Sequence, residues 1–577
     1  MKKKLLPLAL AAAAGFTGVT AQAQMSQNHD GTGQLLMYPI YTANGGNDTY
    51  ISVANTTDTY KAVKVRFVDA MNSQDSLDFH LYLSPQDHWS GVVTKEGDGA
   101  VLKTGDTSCT VPNSLAAKAV GQLGTTAPMR TAKYATGGAE ADTINNGIDR
   151  TLEGHVEIIE MGSILATGSA VPTTALTGAG TYTGAALRAA IKHVNGVPGK
   201  CSDLETMWRT GGAFFYTDND STPGDAKAAT HTQLDAPTGG LYGYGVIINV
   251  PDGTAAMFDA VAVDGFMNDA YHPTPGDDEP GVDDGVSSST INRGGAPVSF
   301  DGVAAARQTA TTGTQTGSGL LHVDVVRGKT GSRVSGGGNS LVTNIATAAT
   351  AQAAVTVPAA GAAAPAAILG QGSLEALSAL LTRQTIANDY VLEPGLNAAT
   401  DWVITFPTKR DFVNLSTAGA AKLVAANRTE GVAPFSKAWD HTKTESCEEI
   451  TIDYWDREEG VNQITTGFDF SPAPVTTPDV LALCTESNIL NFNNKGVLGG
   501  SARITKSITL ASGFNNGWAR VSFSGQTQTD GATNVNGLPV IGFAVQKYVN
   551  NSATSAGALA NYAGSIGHHY TNTNATP

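Results

Sequence analysis

Three sets of acidic side chains are the first candidates for chemistry. Asp453-Tyr454-Trp455-Asp456-Arg457-Glu458-Glu459 sets carboxylates beside aromatic rings, a mixture that suits the cleavage of sugars. If a strand runs through this stretch, Asp456 and Glu458 share a face about 6.7 Å apart, from a rise of ~3.3–3.4 Å per residue. General acid and base pairs flank a glycosidic bond at comparable separations. Such pairs normally come from different strands around a cleft, so the plainer reading, a strand running into a solvated acidic turn, is preferred. Asp218, Asp220 and Asp225 have oxygen spacing of the kind calcium takes, and Asp277, Asp278, Glu279, Asp283 and Asp284 form a denser group. Calcium asks for about six to eight oxygens from a flexible loop. Neither stretch is an EF-hand loop, and a simply hydrated acidic loop is the alternative for both.

Other catalytic patterns are missing from the chain. The eleven histidines are scattered, with no H-E-x-x-H, and His568-His569 reads as surface in a polar tail. There is no G-x-S-x-G elbow and no Walker A loop. Asp440-His441 has no nucleophile by motif. No catalytic residue and no organic cofactor is therefore assigned, and calcium is the one ion the sequence suggests. Tyr242, Tyr244, Trp439 and Trp455 are candidates for exposed rings that stack on sugars, whereas Trp402 and Trp518 are expected in the core.

The elements that must carry these groups are mostly strands. Val63, Val65 and Phe67 alternate with Lys64 and Arg66, and Leu77, Phe79, Leu81 and Leu83 alternate with Asp78, His80 and Tyr82. Strict period two predicts strands buried on one face. Further strands are expected over 35–41, 50–54, 89–94, 153–161, 244–250, 255–263 and 320–327. The two flanking Pro251-Asp252-Gly253 form a hairpin. Short helices are expected over 185–194, ended by Asn195-Gly196, from Ser202 with Glu205 as a capping box, and over 373–386. Asp401 to Arg410 reads as the first core strand of a second β unit, stopped by Pro407. Lys409 and Arg410 lie beyond it, where they would pair with the acidic run after Tyr454. More strands follow over 449–455, 489–492, 518–523 and 540–548. The fold class is mainly β: two antiparallel β-sandwich domains with short helices and long low-complexity loops. The expected division is 1–23 as a signal peptide and 24–268 as an N-terminal sandwich with a small helical insertion. An acidic and Ala/Gly-rich region, 269–372, follows, and 373–577 is a helix plus a C-terminal sandwich.

Composition narrows the setting. Lys2, Lys3 and Lys4, an apolar run from Leu5 to Val19 and Ala21-Gln22-Ala23 read as a secretory leader cleaved before Gln24. No later segment reads as membrane-spanning; the run 346–369 is mostly Ala and Thr and holds Pro358 and Pro365. Loss of the leader's three lysines takes 35 basic residues to 32 against 51 acidic ones, a formal charge of about −19. That disfavours nucleic acid and anionic lipid as partners. Cys109, Cys201, Cys447 and Cys484 are the only cysteines, and an even count in an exported chain reads as disulfides. Of three pairings, Cys109–Cys201 with Cys447–Cys484 is favoured, because each bridge then stays within one half. Each loop closure would contribute up to about 4–5 kcal/mol on the chain-entropy picture.

Five stretches carry a resemblance: Tyr38-Pro39-Ile40-Tyr41-Thr42, Lys61 to Phe67, Asp78 to Pro85 with Trp89, Asp401 to Arg410, and Phe470-Ser471-Pro472-Ala473-Pro474. In these the chain resembles an uncharacterised family of exported, surface-layer-like cell-surface proteins of Gram-negative bacteria. The resemblance implies export and an envelope role, and no functional residue carries over from it. The expected function is thus a non-enzymatic structural protein at the cell surface or outside the cell, with the periplasm as the alternative. It would self-associate or join envelope components, with acidic loops holding calcium. An adhesin or carbohydrate-binding surface protein is the alternative, and an exported glycoside hydrolase using Asp456 is the third reading.

Overall fold

The computed structural model describes residues 26–131, 134–136, 141–166, 171–172, 181–207, 234–235, 237–266, 313–315, 355–357, 377–378, 380–413, 434–464, 481–525, 528–529, 534–550 and 561–571. Within them the protein is mainly β, arranged as two sandwiches of antiparallel sheets with a few short helices. Each of the four large sheets takes its strands from one half of the chain.

In the first half, one sheet orders Val261–Asp264, Leu35–Thr42, Glu153–Ile164, Lys61–Asp69 and Asp75–Leu83. Its partner orders Thr254–Asp259, Leu241–Asn249, Asn47–Asn55, His88–Glu96 and Gly99–Lys103. Val63, Val65, Phe67 and Phe79 from the first share a core with Val53, Trp89 and Val93 from the second. The hairpin at Pro251-Asp252-Gly253 forms as expected. Gly253 takes φ 63°, and the Asp252 amide donates to Asn249 Oδ1 at 2.9 Å. At Ala260 the chain then leaves one sheet for the other, so the expected single strand over 255–263 is two.

In the second half, Glu448–Asp456, Asn516–Phe523 and Thr385–Val391 form the centre of one sheet, edged by Val461–Ile464 and His569–Thr571. Facing it are Ser487–Phe492, Ala398–Thr405 and Ile541–Tyr548, edged by Thr505–Ile508 and Tyr562–Gly567. The Ser487–Phe492 and Thr505–Ile508 pair is parallel, the one departure from antiparallel pairing among these large sheets. Trp402 anchors the core: its ring meets Phe492 edge-on at 5.5 Å, and its Nε1 donates to Asp389 O at 3.1 Å. Both favoured disulfides, Cys109–Cys201 and Cys447–Cys484, are present.

Several expectations are corrected. The Lys61–Asp69 and Asp75–Leu83 strands are buried on both faces, not one. Trp518 is 40% exposed, and Trp439, expected at the surface, is buried. Asn195-Gly196 does not merely stop a helix: Gly184–Ile191 ends earlier, and the pair turns a small hairpin of His193–Val194 with Val197–Pro198. Ile386 lies in the Thr385–Val391 strand rather than in a helix, so Ala398–Thr405 is not the first strand of its sandwich. Lys409 and Arg410 do not pair with the acidic run after Tyr454. Lys409 Nζ donates to the carbonyls of Ser446 and Thr485, and Arg410 donates to Ser73 O and Gln74 Oε1. The expected strand over 320–327 lies outside the described residues.

The buried polar face of the Lys61–Asp69 strand explains the first correction. Arg66 is paired with Glu157 (2.6 Å) and Asp75, and Lys64 with Asp78 at 3.4 Å. Residues from the second half cover this face and its margin. The Glu486 and Ser487 amides donate to Met71 O and Ala70 O at 2.9 and 2.8 Å, and Thr405 Oγ1 donates to Pro39 O at 2.6 Å. Asp142 is a node between the halves: it accepts from Arg150, from Trp439 Nε1 at 3.0 Å and from His441 Nδ1 at 2.8 Å. Burial alone would raise its carboxyl, but the His441, Arg150 and Trp439 contacts hold it below the usual range. Arg150 itself also pairs with Asp69 at 2.9 Å and lies 3.9 Å over the Tyr134 ring.

Candidate functional site

A cleft of about 640 Å³ opens along the junction of the two halves. Its walls come from the segment 27–32 and the Thr254–Asp259 and Val261–Asp264 strands on one side. On the other side stand Arg383, the start of Ile541–Tyr548, and the run from Ser565 to Tyr570. Phe258 and Phe543 stack across the junction, centroids 4.7 Å apart and planes within 10°. Gly245, the cross-strand neighbour of Phe258, makes room for that ring, since an added Cβ would stand 2.3 Å from it. Lys547 Nζ bonds Asp252 Oδ2 at 2.8 Å nearby. Strands from both halves therefore form most of the cleft's walls.

Its floor and mouth differ. Arg383 is 4% exposed. Its Nη2 donates to Gln27 Oε1 at 2.6 Å, and its Nη1 donates to Leu380 O at 2.9 Å and Thr382 O at 3.0 Å. The guanidinium lies 3.9 Å above the Tyr570 ring. His568, partly exposed as a residue, has its ring against Trp402 at 5.2 Å, with Nε2 3.0 Å from Val403 O. Burial pushes its pKa down to about 4, so the imidazole is neutral at pH 7. At the mouth, Tyr242, Met257 and Tyr570 are exposed, beside the exposed His29, Asp30 and Asp259. Among the described residues that line it, the cleft brings together a buried guanidinium, aromatic ring faces and exposed carboxylates that can accept hydrogen bonds from hydroxyl groups.

The expected site residues are distributed as follows. Tyr242 lines the cleft, while Tyr244 lies beside Tyr50, centroids 6.1 Å apart. Trp455 stacks on Trp518 at 3.9 Å on the open face of the second sandwich, away from the cleft. Asp456 and Glu458 do not share a strand face: the strand ends at Asp456, whose Oδ1 accepts from the amides of Glu458 (2.9 Å) and Gly460 (2.7 Å). Asp218, Asp220, Asp225, Asp277, Asp278, Glu279, Asp283 and Asp284 lie outside the described residues. Glu445, Cys447 and Cys484 converge, but the two sulfurs are joined to each other, so no thiolate is offered to a metal. Arg383, Asp259 and His29 were not singled out by the sequence; Arg383 sits in a segment that reads as helix, and beside the local carbonyls of Leu380 and Thr382 its surroundings include Tyr570 and Gln27, some 190 and 360 positions away. Comparison with family models, with curated proteins and with solved structures found no match for this chain.

Proposed function

We propose that the chain is an exported structural protein of the cell surface, forming or supporting a surface layer by lateral assembly. The observation that carries this reading is the joining of two sandwiches through a buried junction in which Asp142, Glu153 and Arg410 hydrogen-bond across to the other half, with a disulfide in each half. Such a body, with its cysteines oxidised, suits a unit that must hold its shape in an oxidising compartment. The acidic balance and the signal-like N-terminus favour export. No helix among the described residues is long and apolar enough to cross a membrane. Edge strands such as Val461–Ile464, with Val461 63% exposed, offer backbone groups for pairing between copies, and calcium held by the acidic loops would screen their mutual repulsion.

Cell fractionation and electron microscopy of purified protein test this. The expected result is a protein abundant at the surface, released by chelator, that reassembles into arrays when calcium returns. A protein confined to the periplasm, or one that stays monomeric with calcium at high concentration, overturns the reading. The cleft with Tyr242 at its mouth favours a second reading, a carbohydrate-binding surface protein. Retention on immobilised glycans by a monomer would establish it in place of the first.

A further inference from the structure

We propose that the junction cleft binds an acidic saccharide, with Arg383 holding the sugar carboxylate and Tyr242 packing against the ring. The inference rests on the carbohydrate-binding reading and specifies its ligand class. Its basis is a contrast among the buried arginines. Arg66 is paired with Asp75 and Glu157, Arg150 with Asp69 and Asp142, and Arg410, bonded to Ser73 O and Gln74 Oε1, lies in the field of the Glu486 carboxyl, which accepts from its backbone amide. Arg383 is buried to a similar degree, yet its hydrogen-bond partners, Gln27 Oε1, Leu380 O and Thr382 O, are all neutral oxygens. Among the described residues no carboxylate is paired with it. Burial accordingly lowers its pKa, and only the Tyr570 ring opposes that shift.

A buried charge without a counter-ion is unfavourable, and a guanidinium fork matches a carboxylate in two parallel hydrogen bonds. Because Arg383 faces the cleft, a ligand can supply the missing anion. The rest of the site selects what carries it. Asp30 and Asp259 at the mouth, on a chain of formal charge −16, repel densely charged anions such as polyphosphates more than a saccharide with a single charge on each ring, and they accept from hydroxyl groups. Tyr242 presents an exposed aromatic face to the C–H surface of a pyranose. One carboxylate on a hydroxyl-rich ring, as in a uronic acid, meets all three conditions.

Titration calorimetry of the mature full chain with trigalacturonate, its methyl ester and maltotriose tests the assignment. Trigalacturonate should bind at least tenfold more tightly than its methyl ester or maltotriose. Arg383→Gln should weaken it at least tenfold, and Tyr242→Ala several-fold with an unchanged melting temperature. Since Arg383 also ties local carbonyls, the exposed Tyr242 variant keeps the test sound if Arg383→Gln does not fold. Equal affinity for the acid and its ester, or full affinity in Tyr242→Ala, overturns the proposal. Binding of maltotriose but not trigalacturonate removes the acidic ligand and leaves carbohydrate binding standing; no binding of either removes both.

Discussion

Two pairs of neighbouring strands have the same sequence texture and opposite fates. Lys61–Asp69 with Asp75–Leu83, and Glu448–Asp456 with Asn516–Phe523, all alternate apolar and polar residues. In the second pair the polar face meets solvent: Thr451, Asp453, Trp455, Trp518 and Arg520 are all partly or well exposed. In the first pair the equivalent face, with Lys64, Arg66, Asp78 and His80, is sealed. The arginine side chains measure the difference: Arg66 is 4% exposed and Arg520 43%, although each is ion-paired at 2.6 Å or less. Period two shows which residues share a face, and it leaves open what lies across from that face.

Mutations can break this comparison. The largest effect should come from Arg66→Ala, which leaves Asp75 and Glu157 buried without their cation and is expected to destabilise by about 3–5 kcal/mol, measured by urea unfolding. A loss below about 1 kcal/mol would mean that the sealed face behaves like the open one.

Next comes Glu486→Gln, on the element that seals the face. Burial pushes the Glu486 carboxyl up to about 7 from its ordinary 4.5, against the opposing pull of His155 and of Arg410, whose amide donates to Glu486 Oε1 at 3.1 Å. Between those values the native chain keeps a proton that the unfolded chain has released, so stability falls as pH rises from 4.5 to 7. The Gln variant lacks this loss and should be more stable than the parent by on the order of 2 kcal/mol above pH 7, with no difference below pH 4.5. Thermal melts across that range would show the two curves converging at low pH; parallel curves would place the titration elsewhere. Asp401, pushed up to about 6 by burial, acts with the same sign, whereas His568, pushed down to about 4, acts with the opposite one. The difference between variant and parent, rather than the parent curve, is therefore the informative quantity.

On the open face the effects should be smaller. Trp518→Ala removes a ring stacked on Trp455 and should cost about 0.5–1.5 kcal/mol, against about 3–5 kcal/mol for Trp402→Ala in the core. Arg520→Ala should cost about 0.2–1 kcal/mol and shrink further in high salt. A salt-independent loss of several kcal/mol would show that the Asp453–Arg520 pair is covered in solution, as by another copy of the chain.

Much was readable from the chain alone because the governing interactions are local. Alternation at Val63-Lys64-Val65-Arg66-Phe67 sets a strand through the pleat. Pro251-Asp252-Gly253 sets a hairpin because glycine reaches positive φ at no steric cost. The mainly β class followed from repetition of such signals, and the favoured disulfide pairing from keeping each loop within one half. Tertiary structure alone decided the rest. Whether Lys64, Trp439 and Trp518 meet water depends on what packs against them from elsewhere in the chain, as Asp142 does against Trp439, since burial belongs to the opposing surface and not to the strand. Asp456 became a turn cap instead of half of a carboxylate pair because its strand ends there. Arg383 is distinctive because, among the described residues, its buried guanidinium meets only neutral oxygens and the Tyr570 ring, a property of the space around it that no pattern in its neighbouring residues records.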